Sequence, residues 1–218
     1  ADFENKMHEA DRQKMIETAE EEIYEDPDLV WSYFGNINAV VMGDSRVLGF
    51  SAFGYMDENR VLAEGGATIA DIPSYYDLLQ MINPQLLVLS YGINDINADW
   101  VPWSDLDGYV EYLNGVMADL TELLPYTYIY VQSIIPVNEI GLETSPSWGQ
   151  IPWWNEVIME DCREMGWRYI DITDLVYDYW WCLEVDGVHM QTFFYTPWAQ
   201  AILVRYVNDN IENMEGYF

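Results

Sequence analysis

The chain is poor in cations, cysteine and histidine. Only 8 of its 218 residues are Lys or Arg, against 38 Asp or Glu, a formal net charge of -30. A surface with so few cations repels phosphate backbones and anionic headgroups, which excludes nucleic acid as a partner. No apolar run approaches the roughly 18 residues of a membrane span, so no membrane insertion is expected. No basic stretch followed by an apolar one opens the chain, so no signal peptide is visible. The simplest reading of the acidity is a heavily solvated surface, and it favours a secreted or cell-surface location over a cytoplasmic one. Cys162 and Cys182 lack CxxC or zinc spacing, and the sequence leaves open whether they pair. Cys162 shares a helical face with Trp154, Ile158 and Met165, which reads as a buried thiol.

What is present organises as a single α/β domain over 35–218, preceded by a helical appendage over 1–34. In the appendage Met15, Ile16, Ala19 and Ile23 fall on one face, whereas Phe3, Met7 and Ala10 project from another. One straight amphipathic helix does not account for both sets. Asp26-Pro27 reads as its stop. Beyond it, short apolar runs at 37–42, 61–64, 86–90, 128–133 and 168–171 alternate with helical patterns near 45–53, 73–82, 105–124, 153–166 and 197–213. Buried strands alternating with amphipathic helices imply a parallel sheet covered on both faces. Ser104 is the expected cap of the 105–124 helix, and Thr196-Pro197 the expected start of the last one.

Reactive groups of such a sheet gather at the carboxyl ends of its strands. Gly43-Asp44-Ser45 follows the first strand at the expected start of a helix, whose N-terminus favours an oxyanion. Gly65-Gly66-Ala67-Thr68 follows the second and Gly92-Ile93-Asn94-Asp95 the third; Asp186-Gly187-Val188-His189 stands just ahead of the last helix. His189 is one of two histidines, and the other, His8, sits in the charged appendage. Each block alone has a plain alternative. Ser45 can be a helix cap, Asn94 a turn residue, and Asp186 a turn or cap. Asp95, Asn97 and Asp99 imitate a calcium loop, but Trp100 holds its glycine position and Leu106 its closing-glutamate position, so no metal is read there.

Taken together, in this order and after successive strands, the blocks resemble the SGNH hydrolase family, also called the GDSL family. The likeness runs from about Val40 to His189. It implies a three-layer α/β/α sandwich around a five-stranded parallel sheet, in flavodoxin-like order 2-1-3-4-5. It also implies that Ser45 is the nucleophile and His189 the base oriented by Asp186, with Ser45, Gly66 and Asn94 as oxyanion donors. A serine hydroxyl needs a base near neutral pH, and a carboxylate on the far ring nitrogen fixes the tautomer. The chain departs from the family at Arg46, where an apolar residue is usual. Arg46 then either pairs with a carboxylate or contacts substrate.

The expected reaction is hydrolysis of a carboxylic ester, small or carbohydrate-borne, through an acyl-serine intermediate and without a cofactor. Acetylated carbohydrate is the favoured substrate class, because Trp100, Trp103, Trp148 and Trp153 follow blocks at the sheet's active edge and could stack on sugar rings. The alternative for each is a place in the core. Lipid esterases, thioesterases and acyl transferases of the same family remain open. So does a non-catalytic glycan-binding module.

Overall fold

The computed structural model describes residues 2–211 apart from residue 180, with side chains from residue 8 onward. Five strands, β1 (Val40–Gly43), β2 (Val61–Ala63), β3 (Leu86–Ser90), β4 (Tyr128–Gln132) and β5 (Arg168–Ile170), form one sheet in the order β2-β1-β3-β4-β5. Every pairing is parallel, with Val41 opposite both Val61 and Val88, and Leu87 opposite Ile129.

Strand residues alternate between two cores, as the pleat requires. Val41, Val61, Leu86, Val88, Tyr130 and Ile170 face the first; Val40, Met42, Leu62, Leu87, Leu89, Ile129 and Val131 face the second. The first core is closed by α1 (Asp2–Glu25), α2 (Pro27–Asn36) and α9 (Tyr195–Asn210), with short α3 (Gly49–Ala52) and α8 (Thr173–Asp178) beside them. The second is closed by α4 (Tyr76–Ile82), α5 (Leu106–Leu123) and α7 (Ile151–Met165). The last named helix, α6 (Glu139–Thr144), lies in the connection from β4 to α7. This is the expected three-layer α/β/α sandwich.

Several local expectations need correction. Asp26-Pro27 ends α1 but also starts α2: Asp26 accepts the Asp28 N–H and Pro27 takes the first helical position. The expected domain boundary therefore lies inside α2, whose Val30, Tyr33 and Phe34 are buried. Helix α1 is continuous, and it buries Ile16, Ala19 and Ile23 while Met15 stays exposed. Ala10 is exposed, and the side chains of Phe3 and Met7 lie outside the described residues. Gln200 donates to the Ile23 carbonyl and Asn208 to Glu20, which fastens α1 along α9.

The strand expected from 37 starts at Val40, because Ile37 closes α2 and Asn38 turns the chain at φ 52. Asp105, not Ser104, caps α5, accepting the Gly108 N–H at 3.0 Å. A 3-10 turn, Thr192–Phe194, runs directly into α9, so Thr196 and Pro197 lie within its first turn instead of capping it. Residues 212 and 213 of that expected helix are outside the described residues. A similar 3-10 stretch, Ile69–Tyr75, leads into α4. On α7, Trp154, Ile158 and Cys162 are buried but Met165 is exposed. Both cysteines are unpaired and buried, and burial pushes the Cys162 thiol up to about 12 and that of Cys182 up to about 11.

Candidate active site

The turn after β1 carries the serine. Gly43 is required there, since a Cβ would sit 2.3 Å from the Ser90 carbonyl oxygen and 2.4 Å from Val47. The helix expected at 45 begins only at Gly49; residues 45–48 are turns, with the Val47 N–H reaching the Asp44 carbonyl. Little helix dipole therefore points at Ser45. The loop is held by side chains instead. Asp44 Oδ1 accepts the Arg46 backbone N–H at 2.9 Å, and the Arg46 guanidinium returns to both Asp44 oxygens at 3.3 and 3.4 Å. Arg46 also donates to the Ile135 carbonyl at 2.8 Å, and its own carbonyl accepts the Tyr195 hydroxyl at 2.7 Å. At 1% exposure Arg46 is buried, so its expected place among substrate-binding residues is corrected: it offers no donor to solvent.

His189 reaches Ser45 from 144 positions away, with Nε2 2.8 Å from Oγ. Its Nδ1 lies 2.6 Å from Asp186 Oδ2. The loop that delivers both is pinched by an antiparallel bridge between Leu183 and Met190, with Glu184 N–H on the His189 carbonyl at 2.7 Å. Gly187 turns it at φ 72. Asp186 Oδ1 accepts the N–H groups of Val188 and His189, at 2.9 and 3.0 Å. Burial pushes the Asp186 carboxyl up, but the His189 ring and these two N–H groups outweigh it and hold the group below its usual range. Both side chains are about half exposed, at 44% and 48%, so the line of contacts opens to solvent.

The donors expected from the other blocks follow β2 and β3, the two strands that flank β1 in the sheet. Gly66 turns at φ 80, with open space where a side chain would be. Asn94 donates one amide hydrogen to the Ala67 carbonyl at 2.9 Å, which leaves the second for an oxyanion. A residue without an assigned role joins the two blocks: Asp95, 3% exposed, accepts the Ile69 N–H at 3.0 Å. Burial first, then the Asp44 charge, push its carboxyl up to about 7 against the Ile69 bond.

The four tryptophans divide. Trp103 is core, packed against Tyr109 and Tyr112, which corrects its expected place at the rim. Trp148 is half-buried and donates to the Ile93 carbonyl at 2.8 Å. Trp100 and Trp153 are exposed, and Trp153 lines a groove between α5 and α7. Behind the nucleophile, a buried chain runs from Trp198 Nε1 to Gln132 Oε1 (2.6 Å) and from Gln132 Nε2 to Ser90 Oγ (2.8 Å). Sequence reasoning passed over it; the available signal was a glutamine and a serine at the ends of buried strands.

A family model described as GDSL-like lipase/acylhydrolase matches residues 46–193, a stretch that begins one residue past Ser45. The chain belongs to the GDSL-like lipase/acylhydrolase family. As a member it is an esterase, an enzyme that hydrolyses ester bonds. No curated protein sequence matches it. Among solved structures it is similar to an acetylxylan esterase from Geobacillus stearothermophilus, at 17% identity and a TM-score of 0.58, over 77% of this chain and 92% of that one. It is also similar to the acetyl xylan esterase AlAXEase, at 19% identity and 0.52, over 81% and 99%. At these identities the likeness is one of fold, that of the SGNH hydrolases. Among the described residues no helix is long and apolar enough to cross a membrane.

Proposed function

We propose that this GDSL-family esterase removes acetyl groups from carbohydrate, with Ser45 as nucleophile, His189 as general base and Asp186 as its orienting acid. The observation that carries the assignment is the unbroken line Ser45 Oγ, His189 Nε2, His189 Nδ1, Asp186 Oδ2, at 2.8 and 2.6 Å. In this reading Ser45 Oγ attacks the ester carbonyl while Nε2 takes its proton. The oxyanion that forms is met by the N–H groups of Ser45 and Gly66 and by the Asn94 amide, each worth about 2.7–4 kcal/mol by analogy with measured deletions. His189 then protonates the leaving alcohol. Water, activated by the same imidazole, releases acetate from the acyl-serine.

The carbohydrate half of the reading rests on two supports. Trp100, close in sequence to Asn94, is 69% exposed, and an indole face in solvent suits a sugar ring. The two solved structures described above are acetylxylan esterases.

The test is a chromogenic ester panel from acetyl to long chain, run beside acetylated oligosaccharides. Fastest turnover of acetyl esters with acetate release from the oligosaccharides is expected, and Trp100→Ala should raise KM for the oligosaccharide but not for the small ester. A preference for long acyl chains would instead indicate a lipid esterase. Failure of a fluorophosphonate to label Ser45 would indicate a binding module.

A further inference from the structure

The connection from β4 to α7 contains none of the proposed triad or oxyanion residues, yet it touches two of the loops that carry them. At its near end the Asn138 backbone N–H donates to the Gly187 carbonyl at 3.1 Å. The Asn138 side chain accepts the N–H groups of Ile140 and Gly141, at 3.0 and 3.2 Å, and so starts α6 against the histidine loop. The fit leaves no room: a Cβ on Gly141 would lie 2.8 Å from the Gly187 oxygen, and one on Gly187 would lie 1.9 Å from Asn138 Oδ1. At its far end Asn97 donates to Ser145 Oγ at 2.8 Å, and the Trp148 indole N–H donates to the Ile93 carbonyl, also at 2.8 Å.

We propose that residues 137–150 are a brace that sets the position of the oxyanion donor Asn94 relative to His189, with Trp148 as its principal positioning residue. The Ile93 carbonyl belongs to the peptide that leads into Asn94, so the indole bond fixes the plane from which the Asn94 side chain projects. Trp148 also packs against the second core, so its polar edge is directed into the protein and not toward a ligand. An error of about 1 Å in a catalytic group can lower a rate a hundredfold, which makes one directional bond at this point consequential.

This inference rests on the proposed role of Asn94, and the experiment separates the two. Trp148→Phe keeps an aromatic ring and removes the N–H donor together with the pyrrole half of the indole. It should lower kcat for a neutral acetyl ester roughly tenfold, with KM nearly unchanged and thermal melting above the assay temperature. In an Asn94→Ala background the same substitution should have little further effect, because its action runs through Asn94. Should Trp148→Phe unfold, Asn97→Ala cuts the neighbouring tie at an exposed position and carries the same pattern at smaller size. An unchanged kcat, a rise in KM alone, or a loss fully additive with Asn94→Ala overturns the brace while leaving the triad in place. A silent Asn94→Ala overturns both the donor role and the brace.

Discussion

Asp44 and Arg46 form a buried ion pair that brackets Ser45, with the guanidinium held at 3.3 Å from Asp44 Oδ1 and at 2.8 Å from the Ile135 carbonyl. The pair ties the serine turn to the segment after β4, and Tyr195 ties it to α9. At position 46 the chain carries a charge that is matched on the spot. Removing one member of such a pair strands the other. Arg46→Leu should therefore lose about 3–5 kcal/mol of stability. Asp44→Asn/Arg46→Leu should recover part of it, since an asparagine oxygen can still accept the Arg46 backbone N–H. Denaturant unfolding of the two variants decides the matter: a double variant no more stable than the single one would show that the charge pairing is not what holds the turn.

Removing the nucleophile and removing an oxyanion donor should leave different kinetic marks. Ser45→Ala should cost at least about a thousandfold in kcat/KM with an unchanged fold. Asn94→Ala should lower kcat about a hundredfold with little change in KM, because its free amide hydrogen strengthens mainly as the oxyanion forms. Steady-state kinetics on a small acetyl ester check both. A change confined to KM would make Asn94 a ground-state contact.

These residues could be named in advance because the strands announce themselves. Runs such as 37–42 and 86–90 are apolar at all but one position, and the blocks of Ser45, Gly66 and Asn94 begin at or just after the end of a run, whereas that of His189 stands ahead of the last helix. Periodicity could not reveal what depends on contacts across the fold. Val30, Tyr33 and Phe34 lie at helical spacing, yet Asp26-Pro27, a stop signal by sequence, is also a start in the fold. The burial of Arg46 follows from Asp44 folding back on it and from Ile135, 89 positions away. Trp103 and Trp100 are three residues apart in one loop, but only Trp103 meets Tyr109 and Tyr112. The bond from Asp95 to Ile69 N–H joins two blocks that the sequence presents as separate.

Asp95 gives stability a pH dependence of unusual sign. Its folded pKa, about 7, lies above the roughly 3.9 of an unfolded aspartate. Between those values the folded form keeps its proton and the unfolded form does not. Stability from this group is thus complete below about pH 4, falls as pH rises toward 7, and is level above it, with a limiting slope of about 1.4 kcal/mol per unit. Asp95→Asn keeps an acceptor for Ile69 and removes the ionisation. Unfolding free energies at pH 5 and pH 7.5 should differ less in Asp95→Asn than in the parent protein. Equal differences would mean that Asp95 does not titrate in this range.

Asp186 sets the shape of the acid side of the activity profile. Its carboxyl is held below its usual range, because the His189 ring and two backbone N–H groups together outweigh burial. For a group depressed in this way the carboxylate persists as the pH falls through mild acid and is lost only below the ordinary carboxylate range. Catalysis needs a neutral imidazole with a carboxylate behind it. Asp186 therefore adds no protonation of its own in mild acid, and log kcat/KM should fall there by no more than one per pH unit. A second proton enters, and the slope steepens, only at lower pH. Asp186→Asn should lower kcat by up to about ten-thousandfold, the size of the tautomer effect when a serine triad loses its carboxylate. The measurement is a kcat/KM profile with an uncharged acetyl ester, taken down to the limit of folding. A slope of two across mild acid would place the Asp186 titration there and contradict the hydrogen bonding described for it.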